Sequence, residues 1–261
     1  YPAARVEEAT FAFIDPAFRG CGGAERMAEH LEENARSRSV QAIQAFAVTS
    51  HVHSQRAVFH RGFAESALLL DFSSAAHSWE ITPDGAPSRI ATLLFVKRLN
   101  PLGEERLHFP ARHREMLGRI YANARLDVAA ADDASWACAP GVESSVWDQS
   151  DFMEGWAVIG VDAYGEDVAV QVAERLRRAC AQRLSTVQLL LPLRDPGTGA
   201  MPQVFEEMGF FFSGVAFWGS GDECLLLQHV TGSRVNYEDI HVCSDFGNDL
   251  KQYVRSCDPN A

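Results

Sequence analysis

The sequence predicts an α+β protein in which one run of elements occurs twice. An apolar stretch, residues 9–14, feeds the turn Arg19-Gly20-Cys21-Gly22-Gly23, and a helical pattern starts at once with Ala24. Residues 156–161 feed a second turn and a second helical pattern. Each stretch then continues as strand, short helix, Gly-Phe pair and two strands. A chain of 261 residues also exceeds what one hydrophobic core usually serves.

Each element has its own local cause. Ala24, Met27, Ala28, Leu31 and Ala35 recur at helical spacing, with Glu25, Glu29, Glu32, Glu33 and Arg36 on the opposite side. Residues 42–48 read as a buried strand, and 54–61 as a short helix ended by Gly62-Phe63, glycine being the natural C-cap. Strands follow at 66–72 and 89–99, joined by a Ser/Ala/Pro/Gly-rich hairpin connection over 73–88. Residues 110–126 read as helix, 127–131 and 144–148 as strands. In the second run Val168, Val172, Leu176, Ala179 and Leu184 mark the helix. Residues 186–193 form the next strand, 201–208 a short helix closing at Gly209-Phe210, and 211–218 and 223–230 the last two strands. The tail adds a strand over 235–243 and a helix marked by Phe246, Leu250 and Val254.

The first turn carries chemistry. A glycine loop opening a helix points free backbone N–H groups at one spot, and the helix start adds partial positive charge. Arg19 reinforces that charge, so a phosphate-bearing ligand is expected. No Gly-Lys-Ser/Thr follows, which excludes a P-loop. Glu25 stands where the dinucleotide pattern G-x-G-x-x-G needs its last small residue, which excludes that motif as well.

Arg19-x-x-Gly22-x-Ala24 resembles the pyrophosphate-loop signature of the GNAT superfamily of acyl-CoA N-acyltransferases, and the element order over residues 8–99 resembles the C-terminal half of that domain. The resemblance implies mixed, mostly antiparallel sheets flanked by helices, and acetyl-CoA as acyl-donor substrate. It implies that Phe13 and Ile14 bind the pantetheine arm, that Arg19, Gly20, Cys21, Gly22, Gly23 and Ala24 hold the pyrophosphate, and that Ser54 lies near the CoA. An unidentified amine would accept the acetyl group.

Two departures qualify it. The elements that open such a domain are missing before residue 8, so the chain is expected to be a fragment of a longer protein or to complete its sheet from another segment. The family's Tyr general acid, four residues before Gly-Phe, is replaced by Val58, with Phe59 beside it, and neither donates a proton. Cys21, His53, His60 or water are the candidate substitutes, and Glu8 is the candidate base.

The second run lacks the phosphate chemistry. Asp162-Ala163-Tyr164-Gly165-Glu166-Asp167 has one glycine, no arginine, and carboxylates that cap a helix but repel pyrophosphate. Phe205 stands where the Tyr would be. The expected organisation is therefore a cofactor-competent half domain over 1–100, a degenerate GNAT-like domain over 101–232, and a strand–helix tail over 233–261 that packs on the first. A non-catalytic acyl-CoA-sensing or interaction module of a larger regulatory protein is the alternative.

Composition sets the remaining bounds. A net charge of −12 argues against nucleic acid and suits a cationic acceptor. No apolar run is long enough to span a bilayer. The six cysteines have no paired spacing, as expected of reduced thiols in the cytoplasm. His51, His53 and His60 lack a carboxylate or cysteine at ligand spacing, so no metal is expected. A homodimer, or further domains of a longer chain, stay open as partners.

Overall fold

The computed structural model describes residues 6–9, 15, 17, 21–73, 89–99, 106–131, 137–138, 140–218, 222–232 and 235–261. In chain order the elements are β1 (Val6–Ala9), α1 (Gly23–Ser37), β2 (Ala42–Val48), α2 (His53–His60), β3 (Ala64–Ser73), β4 (Ile90–Arg98), β5 (Arg106–Leu107), α3 (Arg114–Asn123), β6 (Ala129–Ala130) and β7 (Ser145–Asp151). They continue with β8 (Trp156–Ala163), α4 (Val168–Ala181), β9 (Thr186–Pro192), α5 (Pro196–Ala200), α6 (Pro202–Glu207), β10 (Phe211–Trp218), β11 (Asp222–Val230) and α7 (Asp245–Cys257). The fold is α+β. The long strands form one mixed, mostly antiparallel sheet flanked by helices, in the order β1-β2-β4-β3-β10-β11-β9-β8-β7.

That order reads alike from both sides of the β3–β10 junction. β1 runs parallel to β2, which pairs antiparallel with β4, which pairs antiparallel with β3. β8 runs parallel to β9, which pairs antiparallel with β11, which pairs antiparallel with β10. Local caps correspond too. α1 and α4 both end on a left-handed residue, Ser39 (φ 59) and Arg183 (φ 58), and both Gly-Phe turns put the glycine there, Gly62 (φ 78) and Gly209 (φ 92).

One hydrophobic core lies under the helices, running from Ala35 and Phe95 through Leu117 and Val172 to Leu250. The described residues buried on the opposite face belong to strands, among them Ala67, Leu94, Val158, Leu190 and Leu226. On that face Phe46 of β2, Phe72 of β3 and Trp156 of β8 stack in series, with ring centroids 5.6 and 6.1 Å apart.

The junction itself is narrow. Gly214 pairs with Ala67, and beyond this pair side-chain amides take over from strand partners. Gln44 receives Phe217 N–H (2.9 Å) and donates to Phe217 O (3.0 Å). Gln228 receives Leu70 N–H (2.8 Å) and donates to Leu68 O (3.1 Å). These bonds satisfy buried backbone groups that would otherwise cost about 1–3 kcal/mol each.

Three regions differ from the sequence-based expectation. The helix over 110–126 starts as a 3-10 turn at Ala111–His113, and the strand after it shrinks to β6, which pairs with β5 outside the main sheet. α1 buries Ala35 but leaves Met27 40% and Leu31 49% exposed, so its apolar stripe is largely uncovered. The strand expected over 235–243 is instead extended chain around a 3-10 turn at Tyr237–Asp239. Its backbone bonds go to the loop before α2 and to α2 itself: His241 N–H donates to Thr49 O (2.9 Å) and Cys243 N–H to Gln55 Oε1 (3.1 Å). The tail helix α7 packs across the junction, against β3 on one side and β10 and α3 on the other. The connection over 74–88 lies outside the described residues.

Gly214 (φ 145) is the residue the junction cannot change. A Cβ there would overlap the Ser66 carbonyl oxygen and sit 2.5 Å from Ala67 Cα. Gly214→Ala is expected to lose about 3 kcal/mol from backbone strain and overpacking, read as a lower urea midpoint. A wild-type midpoint would contradict the junction described.

Candidate functional site

Among the described residues β1 and β2 pair in parallel from Val6↔Ala42 to Ala9↔Ala45, and β2 runs on to Val48 along β4. α1 follows the first of these strands in the chain and α2 the second.

Both helix starts lack a side-chain cap. Gly22 caps α1 in the left-handed conformation (φ 71, ψ 15), and Val52 caps α2, neither with a side-chain hydrogen bond. Such starts leave backbone N–H groups and partial positive charge for an anion. Cys21 and Gly22 are exposed, and the space around Gly23 is open. The Arg26 guanidinium donates to Cys21 O (3.4 Å) and holds the turn closed. In the first turn of α2, Ser54 Oγ is buried with no hydrogen-bond partner, and His51 Nδ1 close by in sequence is likewise buried and unpartnered. A buried polar atom left unpaired is unusual enough to mark a place where a ligand group fits.

Of the residues expected to serve the site, Cys21, Gly22 and Gly23 thus stand at the start of α1 and Ser54 in the first turn of α2. Ala24 sits in the first turn of α1. Phe13, Ile14, Arg19 and Gly20 lie outside the described residues. Glu8 is on β1 opposite Gln44. The residue is exposed, yet partial burial of its carboxyl raises the pKa above the usual carboxylate value. Val58 and Phe59 of α2 put no ionisable group at the acid position, and His53 and His60 are exposed. Among the described residues no group of three His, Cys, Asp or Glu side chains is placed to hold a metal ion, and no helix is long and apolar enough to cross a membrane.

Two contributors escaped sequence reasoning. His51 carries no motif that sets it apart from an ordinary loop histidine. Gln55 is fully buried and donates to Val48 O (3.1 Å), His51 O (3.2 Å) and His241 O (2.8 Å), fixing the loop that presents Ser54. Its partner His241 lies 186 positions away, beyond any local signal.

In the second half the parallel strands part, and the opening between them is filled. β8 and β9 pair from Trp156↔Thr186 to Gly160↔Leu190, then diverge along β7 and β11. Tyr164, just after β8, spans the opening and donates its hydroxyl to Thr198 Oγ1 (2.8 Å) on α5. Thr198 donates onward to Pro192 O (2.6 Å). Gly197 lets the ring in, since a Cβ there would stand 2.6 Å from it. Burial pushes the Tyr164 phenol well above its ordinary value.

The loop amides there are spoken for too. Gly165 N–H donates to Ser144 Oγ (2.8 Å) and Glu166 N–H to Val142 O (2.9 Å). Asp167 receives Ser144 N–H (2.8 Å) and the Gln171 amide (2.7 Å). These hydrogen bonds, that from Gln171 foremost, hold its carboxyl down at about 2. Phe205 is fully buried in the core.

No family model and no curated protein matches the chain. Among solved structures it is similar to an IAA acetyltransferase from Bacillus cereus ATCC 14579, at 17% identity over 36% of this chain and 63% of that one, with a TM-score of 0.31. It is also similar to a protein assigned as a phosphinothricin N-acetyltransferase, at 22% identity over 38% of this chain and 55% of that one, with a TM-score of 0.29. The chain thus spans less than two thirds of the length of either structure.

Asp167 gives the second loop an acid-sensitive clasp. A carboxylate depressed below its unfolded value, about 3.9, adds stability that is complete above about pH 4 and lost as pH falls through 2. Asp167→Ala is therefore expected to melt earlier than wild type at neutral pH. The two melting curves should converge between about pH 4 and 2. A difference that persists at pH 2 would assign the effect to something other than the ionised clasp.

Proposed function

We propose that the chain is a GNAT-like N-acetyltransferase of tandem design, with a CoA-competent half over 1–100, a degenerate domain over 101–232 and a tail over 233–261. The observation that carries this is the contrast between the turns around the helices that follow the two parallel strand pairs. In the first half Cys21 and Gly22 are exposed, the space around Gly23 is open, and the Ser54 hydroxyl in the first turn of α2 is buried and orphaned. In the second half Tyr164 plugs the opening and the loop amides are bonded to residues 142–144.

In this reading Arg19 and the amides of Gly20 to Ala24 hold the pyrophosphate, Phe13 and Ile14 offer backbone groups to the pantetheine arm, and Ser54 completes a polar contact. Acetyl-CoA supplies an acetyl thioester, whose carbonyl is attacked by an acceptor amine. Glu8 takes the proton the amine loses, and its raised pKa brings it nearer the range where a carboxylate works as a base. The site offers no Tyr to protonate the departing thiolate, so solvent does so. The acidic surface favours a cationic acceptor. None of the six cysteines is joined in a disulfide, in keeping with a reducing, cytoplasmic setting.

Val58 and Phe59 favour a second reading, in which the same site binds acyl-CoA without turnover, as a sensing module. Titration calorimetry with acetyl-CoA and with CoA, followed by mass spectrometry of an amine panel, separates the two. Both readings expect micromolar binding that Arg19→Ala weakens about tenfold by removing a charge-assisted contact, and only the first expects acetylated product. Phe205→Tyr is expected to restore nothing, because the loop before α4 has no room or free amides for the cofactor. Unchanged affinity in Arg19→Ala, or no CoA binding by folded protein, would remove the proposal.

A further inference from the structure

The turn between β2 and α2 is held from a distance, whereas its counterpart in the second half is held locally. Counting back from Gly62 and Gly209, His51 falls at the position of Thr198, and Gln55 at that of Pro202. In the second half the turn is itself helical, as α5. Asp195 caps it by accepting Gly197 N–H (2.8 Å), and Thr198 donates to Pro192 O (2.6 Å). These bonds all lie within residues 192–198. Pro202 opens α6 and has neither a backbone N–H nor a polar side chain to give.

In the first half Val52 caps α2 with no side-chain hydrogen bond. Gln55, fully buried, takes over that task with both ends of its carboxamide. Its Nε2 donates to Val48 O (3.1 Å) and His51 O (3.2 Å), which closes the turn, and to His241 O (2.8 Å) in the tail. Its Oε1 accepts Cys243 N–H (3.1 Å), and Thr49 O accepts His241 N–H (2.9 Å). Residues 240–243 are thus a strut laid across the turn. The strut is in turn seated on α7: Lys251 Nζ donates to Ile240 O (3.1 Å), and Val242 packs where a Cβ on Gly247 would stand. Without the strut the buried Gln55 oxygen loses the donor it has here, and its amide can turn away from His51. Buried polar groups left so are costly, so turn and strut order together. Ser54, next to Gln55 in the same turn, is the residue whose hydroxyl is buried and unpartnered.

We propose that Gln55 is a positioning residue for the acyl-CoA site, through which ligand binding at Ser54 and docking of the strut favour one another. The inference rests on the acyl-CoA reading of the first half. The docked strut sets the turn so that the Ser54 hydroxyl meets the ligand. The ligand, by filling that contact, holds the turn in the form the strut needs. Linkage makes the effect reciprocal: loosening residues 240–243 weakens the ligand by the same factor that the ligand tightens them. An agent that pulls α7 from its seat is then an inhibitor that never enters the site.

The test uses the full chain, titration calorimetry with CoA, and hydrogen exchange read by mass spectrometry over residues 48–56 and 237–244. CoA is expected to slow exchange of the wild type in both segments. Gln55→Met keeps the length and the apolar stem but removes all four bonds of the carboxamide. It is expected to weaken CoA about tenfold and to abolish the slowing over 237–244. A packing role alone would lower the melting temperature and leave the CoA affinity of folded protein unchanged. In a Ser54→Ala background, where the contact is already gone, Gln55→Met should cost little more. Lys251→Met removes the bond to Ile240 O from within the tail and should weaken CoA about threefold, which decides the matter if Gln55→Met does not fold. Wild-type affinity in either folded variant, or additive losses in the double variant, would overturn the proposal. So would CoA that slows exchange over 48–56 but not over 237–244. Failure of the folded wild type to bind CoA would remove the acyl-CoA reading, and this proposal with it.

Discussion

The contact of Gly214 with Ala67 is the constraint on which the rest depends. Two sheets of like topology become one only if a central strand from each comes close enough to pair, and the absence of a Cβ at Gly214 permits that approach. The pairing is short because both strands then bend away, so their backbone groups need other partners. Gln44 and Gln228 supply them from opposite halves. Buried Arg98 of β4, paired with Glu223 of β11 at 3.1 Å and stacked over Phe217, ties the halves again. An ion pair this deep costs desolvation, so its main contribution is to fix which strands meet.

The C-terminal tail fastens the same junction from the helix side. Ser244 caps α7 by accepting Gly247 N–H (2.9 Å) and donates to the buried Glu65 on β3, which also receives the Asn123 amide (3.1 Å) from α3. At the other end of α7, Tyr253 meets His113 Nδ1 (2.9 Å), whose Nε2 meets Glu206 at 2.6 Å. One helix thus touches β3 of the first half and reaches α6 of the second. The chain leading into it buttresses Thr49 and Gln55, and through them the turn that carries Ser54. A tail remote in sequence therefore shapes the candidate site.

The two halves show how one backbone arrangement serves opposite ends. Splayed parallel strands followed by helix starts create an anion-friendly opening wherever they occur. In the second half the opening is consumed internally: an aromatic ring fills the space, a hydroxyl chain runs from Tyr164 through Thr198 to Pro192, and residues 142–144 cover the amides. What remains is a stable packing unit. In the first half Ser54 keeps an unused buried hydroxyl, a feature that costs stability unless something binds.

The sequence by itself determined the order and type of the long elements, because periodicity and glycine placement are local. β2 occupies the expected residues 42–48, β10 the expected 211–218, and Gly62 and Gly209 end their helices with positive φ. It also placed the acidic, arginine-free loop before α4. Tertiary structure alone decided that the halves share one sheet, that Gln44 serves Phe217 from 173 positions away, and that residues 235–243 bond to a loop and to α2 instead of a sheet edge. It decided as well that Tyr164 plugs a gap and that Met27 and Leu31 face outward. The physical reason is the same throughout. Periodicity reports which side of an element is apolar, whereas the identity of its partner depends on which distant backbone groups and side chains complete one another's hydrogen bonds and volume.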